Sequence, residues 1–188
     1  MEHFRGAPDI HKIEIELKAR IESVEPIEEA LSRFMRHAGQ VDKRDEYWEF
    51  NGPRATPGGF RFRIRVDGNQ TVVTFKEKSF EGFLEINRET EFSIDDINAF
   101  YSFLKKSGAI FIYEKQKKGS RWESGDGLVA EVVEVPPLGT FLEVECVCER
   151  LDAHSQKSAR GKLMDVLERC GIDASRLEAR PYSQMLGY

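Results

Sequence analysis

The sequence predicts an antiparallel α+β fold whose sheet closes into a barrel with a charged interior. Three observations predict it. Roughly eight segments alternate between apolar and polar residues, the period of a strand with two unlike faces. Three longer segments carry apolar residues at helical spacing, and most neighbouring elements are joined by short turn sequences. The third observation is the sign of the charges. Whole strand faces commit to one sign, whereas the outer face of an ordinary half-exposed strand mixes its polar residues.

The elements follow in order along the chain. Ile13 to Lys18 alternates strictly and forms the first strand, with Glu14, Glu16 and Lys18 on one face. A helix starts at Pro26, a residue suited to a first turn, and runs to His37. Ile27, Leu31, Phe34 and Met35 are its inner stripe, and Gly39 ends it. Asp45 to Phe50 is a strand, followed by a loop with Gly52, Pro53, Pro57, Gly58 and Gly59. Phe60 to Val66 sets Arg61, Arg63 and Arg65 against Phe60, Phe62, Ile64 and Val66. Asp67-Gly68-Asn69 turns the chain as a hairpin. Thr71 to Lys78 returns with Thr74, Lys76 and Lys78 on one face, and Leu84 to Phe92 places Glu85, Asn87, Glu89 and Glu91 together. Asp95 opens a helix with Ile97, Phe100, Tyr101 and Leu104 inward, and Gly108 stops it. Three strands come next: Phe111 to Trp122 with Lys115, Lys117 and Arg121, Leu128 to Val135 with Glu131, and Phe141 to Cys148 with Glu143 and Glu145. Pro136 to Gly139 makes the turn between the last two. A final helix from Ser155 to Cys170 buries Leu163, Val166 and Leu167. No linker divides the chain, so residues 1–188 read as one domain with a flexible tail over residues 1–9.

Composition narrows the classes of function. The 188 residues include 28 Lys and Arg and 33 Asp and Glu, a charged fraction of 32% with a net charge of only -5. An apolar fraction of 40% and an aromatic fraction of 11% are too high for disorder. The net negative charge argues against a simple nucleic-acid binder. No apolar run reaches the length of a membrane span, and the first residues lack an apolar signal core, so a soluble cytoplasmic protein is expected. Cys146, Cys148 and Cys170 do not form a disulfide framework, and the four histidines are scattered without metal-ligand spacing.

A solvated outer face explains one such strand more easily than five. Like charges two residues apart repel, and repeating that arrangement implies a ligand that needs it. With the charges turned inward, buried like charges require compensating ions. Glu at i and i+2 are hard oxygen ligands for Mg²⁺ or Mn²⁺, and Lys and Arg would hold phosphates. A metal with a polyphosphate neutralises both sets, although the chain has no Walker A motif.

Glu14-Ile15-Glu16-Leu17-Lys18 is an E-x-E-x-K motif and resembles that of the CYTH superfamily, the triphosphate tunnel metalloenzymes. Further segments resemble the family in order: Arg63-Ile64-Arg65, Thr74-Phe75-Lys76, Arg88-Glu89-Thr90-Glu91, Lys115-Gln116-Lys117 with Arg121, and Leu138 to Glu145. The resemblance covers nearly the whole chain from Ile13 onward. It is closest to class IV adenylyl cyclases, through Asp45-Glu46-Tyr47-Trp48 and Arg180-Pro181-Tyr182-Ser183 with Leu186. Pro181 departs from the serine usual there.

The resemblance implies an eight-stranded antiparallel tunnel, a triphosphate substrate and dependence on Mg²⁺ or Mn²⁺. It implies metal binding by Glu14, Glu16, Glu143 and Glu145; Val133 stands where an acidic ligand is usual, and by parity Glu131, two residues earlier on the same face, takes over that role or the site has one ligand fewer. Lys18, Arg63, Arg65, Lys76, Lys115, Lys117 and Arg121 are the expected phosphate-binding set, with Glu89 and Glu91 facing inward beside them. Glu14, Glu16, Lys18 and Arg121 form the expected catalytic group. Lys78 and Lys117 lie nearer strand ends, where a solvated side chain fits equally well, and Arg61 stays outside the set. Cys146 and Cys148 should pack outward under a helix. Tyr47 and Trp48 belong to the core or the tunnel mouth, with adenine stacking as the alternative.

The activity expected first is conversion of ATP to cyclic AMP and pyrophosphate. An inorganic triphosphatase or thiamine triphosphatase would use almost the same residues. A reading of another class is a non-catalytic binder of polyphosphate or RNA through Arg61 to Arg65 with Phe60 and Phe62, against which the acidic strands count. Oligomeric state stays open, a homodimer being one alternative.

Overall fold

The computed structural model describes residues 12–50, 60–148, 150 and 152–188. The expected tail over residues 1–9 and the expected loop around Pro53 and Pro57 lie outside the described residues. Eight strands form the sheet: β1 (Lys12–Ile21), β2 (Arg36–Phe50), β3 (Phe60–Asp67), β4 (Gln70–Glu81), β5 (Leu84–Ser93), β6 (Ile110–Glu123), β7 (Leu128–Val135) and β8 (Gly139–Cys148). They close into an antiparallel barrel in the order β1-β5-β4-β3-β2-β6-β7-β8, with β8 paired back onto β1. The helices are α1 (Glu25–Ser32), α2 (Ile97–Ser107), α3 (Ala153–Arg169) and α4 (Tyr182–Met185). No helix among the described residues is long and apolar enough to cross a membrane.

Alternation sets the two faces of the barrel wall. The apolar face of β1, β7 and β8 points outward and is covered by α1 and α3. Ile15, Leu17, Ala130, Val132, Leu142 and Val144 pack there with Leu31, Leu163 and Leu167. Cys146 belongs to this outer core, as its parity requires. On the opposite side α2 lays Leu104 on Phe62, Ile64 and Val73 of β3 and β4. Burying these side chains removes their apolar surface from water, which stabilises by about 1.5–3 kcal/mol for each fully buried large residue. The charged face is left pointing into the lumen. A smaller apolar cluster of Val41, Val133, Val135 and Phe141 lies on the lumen parity of β2, β7 and β8, and Tyr182 of α4 completes it.

Among the boundaries that differ from expectation, three have a clear local cause. The first helix ends at Ser32, not His37, and Arg36 already begins β2. Residues from Arg36 to Asp42 pair with the far end of β6, so sheet hydrogen bonds replace helical ones. Gly39, at φ +136°, marks an irregularity in that pairing and does not end a helix. The cap of α2 is Asp96, not Asp95: its carboxylate accepts the Ala99 N–H at 3.0 Å. The last helix begins two residues early, at Ala153, because Asp152 accepts the Ser155 N–H at 2.8 Å. Gly108, at φ +76°, stops α2 as expected.

The candidate active site is a charged tunnel

The lumen holds two chambers of about 290 and 210 Å³. The larger is lined by Lys18, Tyr47, Phe62, Tyr113, Lys115 and Tyr182, among others. The smaller is lined by Glu14, Lys43, Glu89, Arg121, Glu131 and Glu145, with several further charged groups. Glu16, Arg63, Arg65, Lys76, Lys117 and Glu143 line both, so they form a shared waist. Strand register explains the grouping. Glu16 faces Glu145 and Lys18 faces Glu143 across β1 and β8, while Glu131 faces Glu143 across β7 and β8.

Opposite charges are paired along the lumen wall. Lys117 pairs with Glu143, Lys43 with Glu131, Lys76 with Glu89 and Lys12 with Glu14. Arg65 grips Asp45 with two hydrogen bonds of 2.6 and 2.9 Å, and the Lys115 ammonium lies 3.0 Å from the same carboxylate. Arg63 donates to Thr74 at 2.9 Å, and Thr74 donates to Glu91 at 2.8 Å. Arg121 reaches Glu131 at 3.1 Å from the far mouth. The Lys18 ammonium donates to the Arg180 carbonyl at 2.7 Å and lies 4.3 Å from the centre of the Tyr182 ring. Lys115 and Lys117 also stand over that ring, at 4.8 and 5.3 Å.

Crowding divides the carboxylates into two kinds. Burial pushes Glu16 up to about 8, helped by Glu143 and Glu85 beside it. Glu16 is only partly buried and keeps contact with lumen solvent. Burial also raises Glu89 to about 7 and raises Glu145, and Glu14 adds to both shifts. Burial works against ionisation of Glu143 as well, but Lys117 and Lys115 overcome it and hold Glu143 at about 2. Glu131 is lowered because Lys117 and Lys43 outweigh its burial. Glu14 is lowered to about 2 by Glu89, Lys76 and Lys12 against the same opposition. Lys115 falls to about 7: burial and its cationic neighbours Lys117 and Arg65 outweigh Asp45.

Glu14, Glu16, Glu131, Glu143 and Glu145 all line the lumen, and hard carboxylate oxygens of this kind suit Mg²⁺ or Mn²⁺. Glu143 Oε1 is buried without a hydrogen-bond partner, so that oxygen is available as a metal ligand. Among the described residues no three acidic, histidine or cysteine side chains already converge as a cage. Most of these carboxylates are turned toward a lysine, and a divalent cation would take them over from those ammonium groups.

The structure brings all of the expected site residues to one lumen. Lys18, Arg63, Arg65, Lys76, Lys115 and Lys117 line the larger chamber, and Arg121 the smaller. Lys117 is not a solvated strand-end residue but a buried one at the waist, because β6 extends six residues beyond it to Glu123. Lys78 lies at the mouth, 2.5 Å from Glu85. Glu89 is fully buried, whereas Glu91 sits at the rim of the smaller chamber. Arg88 is exposed on the outer face, as its parity demands. Val133 is buried in the apolar cluster while Glu131 faces the ionic lumen, paired with Lys43 and Arg121.

Sequence reasoning assigned no lumen role to Asp45, Lys43, Glu85, Asn87 or Tyr182. For Asp45 and Lys43 the signal was parity: Val41, Lys43, Asp45, Tyr47 and Glu49 share one face of β2, but their mixed chemistry hides it. Asn87 is fully buried on the lumen parity of β5, beside Glu85 and Glu89.

A closed eight-stranded antiparallel barrel with a lumen of paired carboxylates and cationic side chains defines a tunnel with a charged interior. The chain belongs to the CYTH domain family, whose model matches residues 12–182. No protein among the curated ones matches it in sequence. Solved structures share the fold. A Pyrococcus furiosus protein is 26% identical with a TM-score of 0.72, covering 91% of this chain and 98% of that one. A candidate adenylate cyclase from Vibrio parahaemolyticus is 16% identical with a TM-score of 0.77, covering 94% and 99%. A Hippeastrum protein, named as a candidate adenylyl cyclase with a dominant triphosphatase activity, is 17% identical with a TM-score of 0.58, covering 93% of each chain.

Proposed function

We propose that the tunnel binds a triphosphate together with Mg²⁺ or Mn²⁺ and converts ATP to cyclic AMP and pyrophosphate. The observation that carries this reading is the mutual pairing of lumen carboxylates with lumen ammonium and guanidinium groups. A metal-bound triphosphate has both charges, so it lets each set exchange its partner. Glu14, Glu16, Glu131, Glu143 and Glu145 would hold the cation. Arg63, Arg65, Lys76, Lys115 and Lys117 would hold phosphate oxygens by charge-assisted hydrogen bonds. When bound, the cation supplies charge neutralisation and lowers the pKa of an attacking hydroxyl. The chain's part is to fix the ribose 3′-oxygen in line with the α-phosphorus and to keep bulk water out of the lumen. The new bond joins that oxygen to the α-phosphorus, the 3′-hydroxyl passes its proton to a lumen carboxylate or to solvent, and the bond from the α-phosphorus to the bridging oxygen breaks, so that pyrophosphate leaves with its electron pair.

A triphosphatase reading uses the same phosphate grip with water attacking the terminal phosphorus. The triphosphatase activity named for the Hippeastrum protein of similar fold favours it. The RNA-binding reading is less favoured, because Arg63 and Arg65 face the lumen beside the carboxylates of Glu16 and Glu143, which repel a nucleic-acid backbone.

Purified protein is incubated with ATP, inorganic triphosphate or thiamine triphosphate, each with Mg²⁺ or Mn²⁺. Cyclic AMP with equimolar pyrophosphate is expected from ATP. Orthophosphate without cyclic AMP would sink the cyclase and leave the triphosphatase. Glu14→Gln and Glu143→Gln should lose metal-dependent turnover while keeping the far-ultraviolet circular dichroism of the parent.

A further inference from the structure

The outer wall of the barrel is covered unevenly. The helices α1 and α3 bury the apolar face of β1, β7 and β8, whereas α2, of 11 residues, lies alone over β3 and β4. Aromatic rings emerge on both sides of it. On one side Phe60, Phe75, Phe92, Phe100 and Phe103 touch in series, with ring centres 4.9, 6.0, 6.3 and 6.0 Å apart. On the other, Tyr101, Trp48 and Phe111 follow at 5.9 and 5.5 Å. Parity and register build these strings. Phe60, Phe75 and Phe92 have the outward parity of their strands, and Trp48 is directly opposite Phe111 across β2 and β6.

Phe60, Phe92, Phe103 and Phe111 are each about half exposed. At roughly 200 Å² for each phenylalanine, they leave about 400 Å² of apolar surface in water. One partner of a standard interface contributes about 800 Å², of which somewhat over half is apolar. These four side chains come close to supplying that apolar part. The polar part is on α2 itself. Asp95 and Asp96 stand at its start and Lys105 and Lys106 at its end, all four exposed. Asp96 caps the helix through the Ala99 N–H, but among the described residues Asp95, Lys105 and Lys106 have no ion pair. Ala99, Ser102 and Lys106 recur at helical spacing on one exposed face, with Phe103 beside them.

We propose that α2 and its aromatic flanks form the interface with a second copy of this chain, the two α2 helices crossing antiparallel about a two-fold axis. The charge pattern carries the choice of occupant. An anionic surface such as a lipid headgroup layer would need one sign, whereas α2 is acidic at one end and basic at the other. An antiparallel copy presents the reverse order, so the face is complementary to itself. Asp95 then meets the partner's Lys106, and Asp96 meets the partner's Lys105. Ala99 meets the partner's Ser102 at the crossing, where small side chains let the helices approach. Phe103 of each copy reaches the aromatic flank of the other and leaves water. The face lies on the outside of the wall, so this pairing leaves the lumen open.

Sedimentation equilibrium of the full chain over a concentration series tests the pairing. The parent should reach twice the mass of the chain. Phe103→Glu should raise the dimer dissociation constant about a hundredfold, since each dimer loses two buried rings. Asp95→Lys and Lys106→Asp should each raise it about tenfold, because like charges then meet at both symmetry-related contacts. An equimolar mixture of these two variants should recover the affinity of the parent, since each mixed dimer again sets unlike charges face to face. That recovery also shows that both variants fold. A parent that stays monomeric throughout would overturn the self-pairing and leave the face to a different partner. A dimer that none of the three variants weakens would place its interface elsewhere and overturn the proposal. A mixture no tighter than its components would overturn the antiparallel crossing.

Discussion

Asp45 is fully buried, and two cationic groups depend on it directly. Arg65 holds it with two hydrogen bonds and Lys115 approaches to 3.0 Å. Arg65 and Lys115, together with Arg63 nearby, overcome the burial cost and keep its carboxyl well below the usual range. Removing one member of a buried ion pair strands the other charge and costs about 3–5 kcal/mol. Asp45→Ala should therefore lower the urea midpoint substantially, and an unchanged midpoint would mean that Arg65 and Lys115 find another partner. The pH dependence has a definite sign. A carboxyl depressed in the folded state contributes stability that is full above its unfolded pKa, about 3.9, and is lost as pH falls toward the folded value. The stability difference between the parent and Asp45→Asn should be flat above about pH 5 and shrink below about pH 4. Asp45 opens the Asp45-Glu46-Tyr47-Trp48 segment, but its role is not legible in the sequence. It faces the lumen between Lys43 and Tyr47, and only the neighbouring strands β3 and β6 supply the two cations it holds.

At the scale of the element, the pairing of β6 with β7 depends on a residue without a side chain. A Cβ added at Gly119 would lie 1.9 Å from the carbonyl oxygen of Val132, in the backbone of the next strand. That atom cannot rotate away, so the strands must separate. Gly119→Ala is expected to destabilise by about 1–3 kcal/mol, as overpacking does. Gly161 gives the opposite expectation. It lies within α3, and an added Cβ there meets nothing within 4 Å. Gly161→Ala should stabilise by about 1 kcal/mol through helix propensity. Thermal melts of the two variants should move in opposite directions, and a common direction would contradict the packing described. The strands were legible as elements because a period of two needs only local sequence. The start of β2 was not. Arg36 to Gln40 lacks clean alternation, and its conformation is set by hydrogen bonds to β6, about eighty residues further along the chain.

At the scale of the whole molecule, the barrel wall separates two kinds of burial. Outside, apolar side chains are covered by helices. Inside, like charges such as Glu16, Glu85 and Glu143 crowd one another, and Lys115 stands beside Lys117 and Arg65. A ligand carrying both signs relieves this strain, so it should stabilise the fold by binding the native state alone. Saturation at 100 times the dissociation constant corresponds to about 2.7 kcal/mol, or a melting shift of roughly 5–10 °C for a chain of this size. Inorganic triphosphate with Mg²⁺ should produce such a shift, and EDTA should reduce it. A shift that EDTA leaves untouched would separate the phosphate set from the carboxylates. The sequence by itself determined that these charges share faces: side-chain parity in a strand is a local property of the backbone, and it sorted Glu14, Glu16, Glu143 and Glu145 from Arg63, Arg65 and Lys76 without any tertiary information. Only the closed barrel decided who pairs with whom. Register between β1 and β8 sets Lys18 against Glu143, and the β2–β6 pairing stacks Tyr47 on Tyr113. Such contacts join residues far apart in the chain, and hydrogen bonding between strands fixes them where no spacing in the sequence can.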